Sequence, residues 1–163
     1  MTFSSALNAQ AKTLLNAART RRWRIATAES CTGGLVAGLL TEIPGSSDVV
    51  ERGFVVYANR AKEEMLGVPA DMLAAHGAVS EDVARAMALG ALAHSQADLS
   101  VAVTGIAGPG GGTALKPVGL VYIASALTGG SVCCEEHRFG DIGRENVRLA
   151  TVEAALNLMI GRL

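Results

Sequence analysis

The chain has 163 residues, half of them apolar, which is enough for one compact domain with a real core over 1–163 and cramped for two. Fourteen basic residues against fifteen acidic ones leave a net charge of −1, so no long-range positive field recruits nucleic acid, and aromatic residues at 4% are too sparse for base-stacking platforms. Neither a charged-then-apolar leader nor an apolar run approaching the ~18 residues of a membrane span is present, so no membrane partner is expected and the location read from the chain is cytoplasmic.

In chain order, the periodicity alternates between helical and extended segments, the signature of an α/β fold. Helical spacing runs from about Ala6 to Arg19, and a short strand from Trp23 to Ala28 then meets the polar group Glu29, Ser30, Cys31 and Thr32. Gly33 and Gly34 open the next helix. A second strand, about Gly53 to Ala58, leads into a short helix containing Lys62 that stops near Gly67, because Pro69 forbids smooth continuation. Ser80, followed by Glu81 and Asp82, makes an N-cap and acidic first turn for an alanine-rich helix to about Gln96. Leu99 to Val103 is a buried strand ending at Thr104, before the glycine-rich GIAGPGGGT segment. Val118 to Ala126 and Ser131 to Phe139 read as two further strands joined at Thr128, Gly129 and Gly130, and an amphipathic helix from about Arg144 to Ile160 closes the chain. Cys31, Cys133 and Cys134 form neither an even disulfide set nor a CxxC pair, which fits a reducing compartment without structural zinc.

Two strands thus end in glycine-bearing polar turns, at Ser30 to Gly34 and at Thr104 to Gly112. In a parallel sheet such ends share one edge, where open α/β sheets bind ligands. Ser30 at a strand-to-helix turn is a candidate nucleophile, beside backbone N–H groups able to hold a phosphate or an oxyanion, although serine at a helix start is also a common cap and Thr32 could be that cap. Cys31 is the rival nucleophile; on a strand its side chain points the opposite way from that of Ser30, so one of them faces the crevice. A serine needs a base. His76 falls at a helix end, His94 in a helix and His137 on an edge strand, and none adjoins a glycine turn. Only Lys12, Lys62 and Lys116 remain beside eleven arginines, and Lys62 and Lys116 flank the candidate turns, as a base or as ordinary surface lysines. The five glycines around Pro109 suit either an anion nest or a flexible loop; the segment lacks the GK[ST] of a P-loop and the GxGxxG of a dinucleotide fingerprint. Glu29 and Asp141 lack histidine or acidic neighbours at ligand spacing, so no metal site is expected.

The strings AESCTGG at 28–34, YANRAK at 57–62, GAVSED at 77–82, TGIAGPGGGT at 104–113 and KPVGLVYIA at 116–124 decide between these options. Together they resemble the nicotinamide mononucleotide deamidase family, also known as the C-terminal domain of the competence/damage-inducible protein CinA. The resemblance implies hydrolysis of nicotinamide mononucleotide to nicotinate mononucleotide and ammonia, without metal or other cofactor. It implies Ser30 as nucleophile, Lys62 as base and Tyr57 as an aid to proton transfer. Substrate contacts fall on Glu29, Thr32, Gly33, Gly34 and Asn59, and on Thr104, Gly105, Ala107, Gly108, Gly111 and Gly112. The family's FxGDR segment appears as FGDIGRENVR, so its arginine maps onto Arg144, a substrate contact, with Arg148 one helical turn later as the alternative. A three-layer α/β/α sandwich on a mixed, mostly parallel sheet is implied, as are homodimers. Oxyanion contacts are expected from N–H groups near Gly33 or Gly105. The alternative from another class is a nucleotide-binding or regulatory module without turnover.

Overall fold

The computed structural model describes residues 3–163. Helix α1 (Ser5–Arg21) starts at Ser4, whose hydroxyl accepts the Leu7 N–H, and ends at Arg22 in the left-handed region. Strand β1 (Ile25–Glu29) follows, then α2 (Leu35–Glu42), a 3-10 turn at Ser46–Asp48 and β2 (Val50–Val55). Helices α3 (Asn59–Leu66), α4 (Ala70–His76) and α5 (Glu81–Ala93) precede β3 (Leu99–Gly105), and the hairpin β4 (Leu120–Leu127) and β5 (Val132–Arg138) leads to α6 (Arg144–Ile160).

The five strands form one sheet in the order β2-β1-β3-β4-β5. β1 pairs in parallel with β2 and β3, whereas β4 is antiparallel to both β3 and β5, so the sheet is mixed and four of its five strands run the same way. Helices cover both faces. Ile25, Leu99, Val101, Val103, Val121 and Ile123 pack with α1, α2 and α6; on the other face Ala26, Ala28, Ala102, Ala124 and Ala126 pack with α3, α4 and α5. The strands are thus large on one side and small on the other, and the alanine face lets the alanine-rich α5 lie close to the sheet. Among the described residues no helix is long and apolar enough to cross a membrane.

Several boundaries depart from the sequence reading, chief among them β2, the break between α3 and α4, and the end of α5. β2 begins at Val50 rather than near Gly53 and stops at Val55; its next carbonyls, of Val56 and Tyr57, turn toward Lys62. Pro69 starts α4 as its N-cap, consistent with proline's tolerance at helix starts, so the break after Gly67 separates two helices. α5 ends at Ala93 rather than Gln96, since the His94 ring and the Ser95 hydroxyl bond the Gly90 and Ala91 carbonyls.

Candidate active site

The three parallel strands end at one edge. There Ser30 follows β1, and the side chain of Lys62, on the inner face of α3, reaches back beneath it. Lys62 Nζ lies 3.1 Å from Ser30 Oγ, 2.8 Å from the Val56 carbonyl oxygen and 3.0 Å from that of Tyr57. It is 1% exposed, and burial pushes its pKa below the usual lysine range. Among the described residues no acidic side chain pairs with it. An uncharged amine has two hydrogens and one lone pair. With both hydrogens on the two carbonyls, the lone pair is left for the Ser30 hydroxyl, the arrangement a general base requires. Ser30 itself is 9% exposed.

The rival thiol is elsewhere. Cys31 packs into the core beside α1, α2 and α6, and burial pushes its pKa up to about 12. Residues 30 and 31 therefore look to opposite layers.

The turn between Ser30 and α2 is held from two sides. Glu29, 1% exposed, accepts the Thr32 hydroxyl at 2.6 Å and the N–H groups of Gly34, Val36 and Ala37 at 3.1, 3.0 and 2.8 Å. Its carboxylate thus caps α2 from within the fold. Expected against substrate, Glu29 and Thr32 instead spend their side chains on each other and on this helix start. From the other side Arg148 donates through Nε to the Cys31 carbonyl at 3.1 Å and through Nη2 to the Thr32 carbonyl at 3.0 Å. Of the N–H groups near Gly33, where oxyanion contacts are expected, that of Gly33 itself bonds the Ser30 carbonyl at 3.1 Å.

The rim carries the remaining residues. Tyr57 is 64% exposed, and Arg144 lies across from it, donating to the Gly108 carbonyl at 2.9 Å with Nη2 3.4 Å from the Tyr57 hydroxyl. Arg144 thus stands at the crevice mouth, whereas Arg148 is committed to the turn. Asn59 is exposed at the first position of α3. Thr104 is buried and donates its hydroxyl to the Ala78 carbonyl, so this side chain, also expected against substrate, ties β3 to the segment before α5. Gly105 is required by close packing: a Cβ there would stand 2.6 Å from Val121 Cγ2. Beyond it the N–H groups of Ala107, Gly108, Gly110, Gly111 and Gly112 have no acceptor among the described residues. Lys116 Nζ bonds the His76 carbonyl across the loop. No group of three His, Cys, Asp or Glu among the described residues could hold a metal ion.

Residues 7–163 match the family model of the CinA C-terminal domain. The chain belongs to that family. A "putative competence-damage inducible protein" of Caldicellulosiruptor bescii is 52% identical over 140 residues, and a "CinA-like protein" of an Anaeromyxobacter species is 54% identical over 136. These cover 85% and 83% of this chain but 33% of each relative, so the chain spans about a third of the curated relatives it matches. Among solved structures, the competence/damage inducible protein CihA of Agrobacterium tumefaciens superposes with a TM-score of 0.97 at 52% identity, covering 99% of this chain and 98% of that one. A CinA superfamily protein of Escherichia coli gives 0.92 at 32% identity, covering 100% and 95%. The CinA fold is therefore that of this chain throughout its described length.

Two sets of contacts in this CinA domain went unread in the sequence, although Arg148 itself was a candidate there. The lysine's partners at Val56 and Tyr57 are carbonyls, which leave no mark in residue identity. The Arg148 clamp did leave one, since Arg144 and Arg148 are four apart and share a helix face.

Proposed function

We propose that this chain is an amidohydrolase that converts nicotinamide mononucleotide to nicotinate mononucleotide and ammonia. The observation that carries the reading is the buried amine of Lys62 in contact with Ser30, with two carbonyls occupying its hydrogens. The choice of substrate rests on the resemblance of the five sequence blocks to the deamidase family.

Lys62 takes the hydroxyl proton as Ser30 Oγ attacks the carboxamide carbon, and the carbonyl oxygen becomes an oxyanion held by N–H groups of the turn. The amide nitrogen leaves as ammonia with the proton returned by Lys62, giving a nicotinoyl ester on Ser30. Water, deprotonated by the same amine, then attacks the ester and releases the carboxylate with Ser30 restored. The five N–H groups without acceptors between Ala107 and Gly112, together with Arg144, suit the 5′-phosphate. Tyr57, with its hydroxyl 3.4 Å from Arg144 Nη2 at the crevice mouth, would aid proton transfer.

Ammonia release from nicotinamide mononucleotide tests the reading. Wild-type protein turns over; Ser30→Ala and Lys62→Met lose about 10³-fold or more, by the scale of other serine hydrolases. Binding of the nucleotide without release would make the chain a binding module, and activity that survives Ser30→Ala but not Cys31→Ala would move the nucleophile.

A further inference from the structure

The residues that clamp the turn after Ser30 have no place yet in the chemistry. Glu29 consumes the N–H groups of Gly34, Val36 and Ala37, the first N–H groups of α2, and Gly33 donates to the Ser30 carbonyl. The helix start that would otherwise attract an anion is therefore occupied from inside the protein. Between Ser30 and Gly34 two N–H groups bond no other residue among the described ones, those of Cys31 and Thr32. They immediately follow the residue whose oxygen attacks.

Arg148 decides how one of them points. In a trans peptide the carbonyl and the N–H of one unit face opposite ways. Arg148 Nε holds the Cys31 carbonyl, so the Thr32 N–H of the same unit is directed away from the guanidinium. Nη2 holds the Thr32 carbonyl and so directs the Gly33 N–H, which is found on the Ser30 carbonyl. A cation on a peptide oxygen also polarises that unit and makes its N–H a stronger donor. Arg148 pairs with no acidic side chain among the described residues, so its charge is not offset by an ion pair.

We infer that the N–H groups of Cys31 and Thr32 form the oxyanion hole and that Arg148 is its positioning residue, acting through the two carbonyls it holds. This rests on the proposed amidohydrolase reading and deepens it. Of the N–H groups near Gly33 it selects these two, since that of Gly33 itself has an acceptor. Arg148 does not touch substrate: it holds the turn in the form that stabilises the tetrahedral oxyanion, and Arg144 alone of the two arginines faces the crevice mouth.

The test compares wild type with Arg148→Met and Arg148→Lys in nicotinamide mononucleotide hydrolysis and in release of p-nitrophenolate from p-nitrophenyl acetate, which also needs an oxyanion at Ser30. Arg148→Met is expected to lose about 10²-fold in kcat, the scale of one oxyanion-hole donor, with KM within about threefold. Arg148→Lys, which keeps the charge and one bond, recovers part of the loss. The midpoint of the rising limb of the pH profile stays in place, since Lys62 is untouched. Pyridine-3-boronic acid, which becomes tetrahedral on Ser30, weakens by a factor similar to the fall in kcat, whereas nicotinate mononucleotide binding holds; a purely structural defect would move both ligands together. Unchanged kcat in folded Arg148→Met, or lost turnover with undiminished boronate affinity, overturns the inference. Should wild type release no ammonia from the nucleotide, the substrate reading fails by itself, and the ester reaction still decides the role of Arg148.

Discussion

The load on Glu29 is the most exposed stability claim of this architecture. Its Oε2 accepts three bonds, from the Thr32 hydroxyl and the N–H groups of Gly34 and Val36, and its Oε1 accepts one, from Ala37. Glu29→Gln is nearly isosteric but has one acceptor oxygen. The better placement puts that oxygen at the Oε2 site and turns the amide NH2 against the Ala37 N–H, donor against donor. One unsatisfied buried donor pair costs about 2 kcal/mol. Glu29→Ala removes every acceptor and leaves a void, for about 4 kcal/mol. At ~2–4 °C per kcal/mol for a chain of this size, the glutamine variant should melt about 4–8 °C lower and the alanine variant about 8–16 °C lower. Thermal unfolding followed by circular dichroism, with reversibility checked, reads both. A glutamine variant within about 1 °C of wild type, or an alanine variant more stable than the glutamine one, would refute the internal cap.

Other consequences follow from the same geometry. Cys31, buried and with its thiol pushed up to about 12, should resist a thiol reagent until the protein unfolds, and Cys31→Ala should keep turnover within about threefold, read by timed labelling and ammonia release. The pKa of Lys62 is lowered by burial, so kcat/KM should rise with pH through a midpoint below the usual lysine value and level off above it; a profile that fell over that range would contradict a neutral base. Because the unfolded lysine binds a proton that the folded one has lost, the same group should make stability rise with pH between its folded and unfolded pKa values. A Cβ at Gly90 would stand 2.1 Å from the Leu66 carbonyl oxygen, so Gly90→Ala should push α5 from the end of the helix that carries Lys62, costing about 1–3 kcal/mol in urea unfolding and lowering turnover as well.

Much of this was legible in the sequence for identifiable reasons. Ser30 and Lys62 stood out because lysine is scarce beside arginine and because two strands end in glycine turns, which a parallel sheet brings to one edge. Residues 30 and 31 point to opposite layers as expected, although β1 already ends at Glu29 and both lie in the turn, and α6 matches its expected span from Arg144 to Ile160. What sequence could not tell was which polar residues of a site motif face inward. Glu29, Thr32 and Thr104 stand in the same strings as Ser30, yet their side chains satisfy a helix start and a neighbouring loop. Residue type is the same for a hydroxyl that meets substrate and one that meets a carbonyl. β2 drifted by three positions because its apolar pattern runs on through Val56, whose N–H still bonds the Glu29 carbonyl of β1 while its own carbonyl has turned to Lys62.

Catalysis by Ser30 depends on an uncharged amine beside it, and the chain's three lysines make that directly measurable. Carbon-13 labelling of the lysine ε-carbons gives three resonances, and the one missing in Lys62→Met can be followed against pH. It should titrate with a midpoint clearly below the ordinary lysine value of about 10.4, matching that of kcat/KM. A midpoint at or above that value would leave the amine protonated at neutral pH, unable to take the serine proton, and would contradict the mechanism.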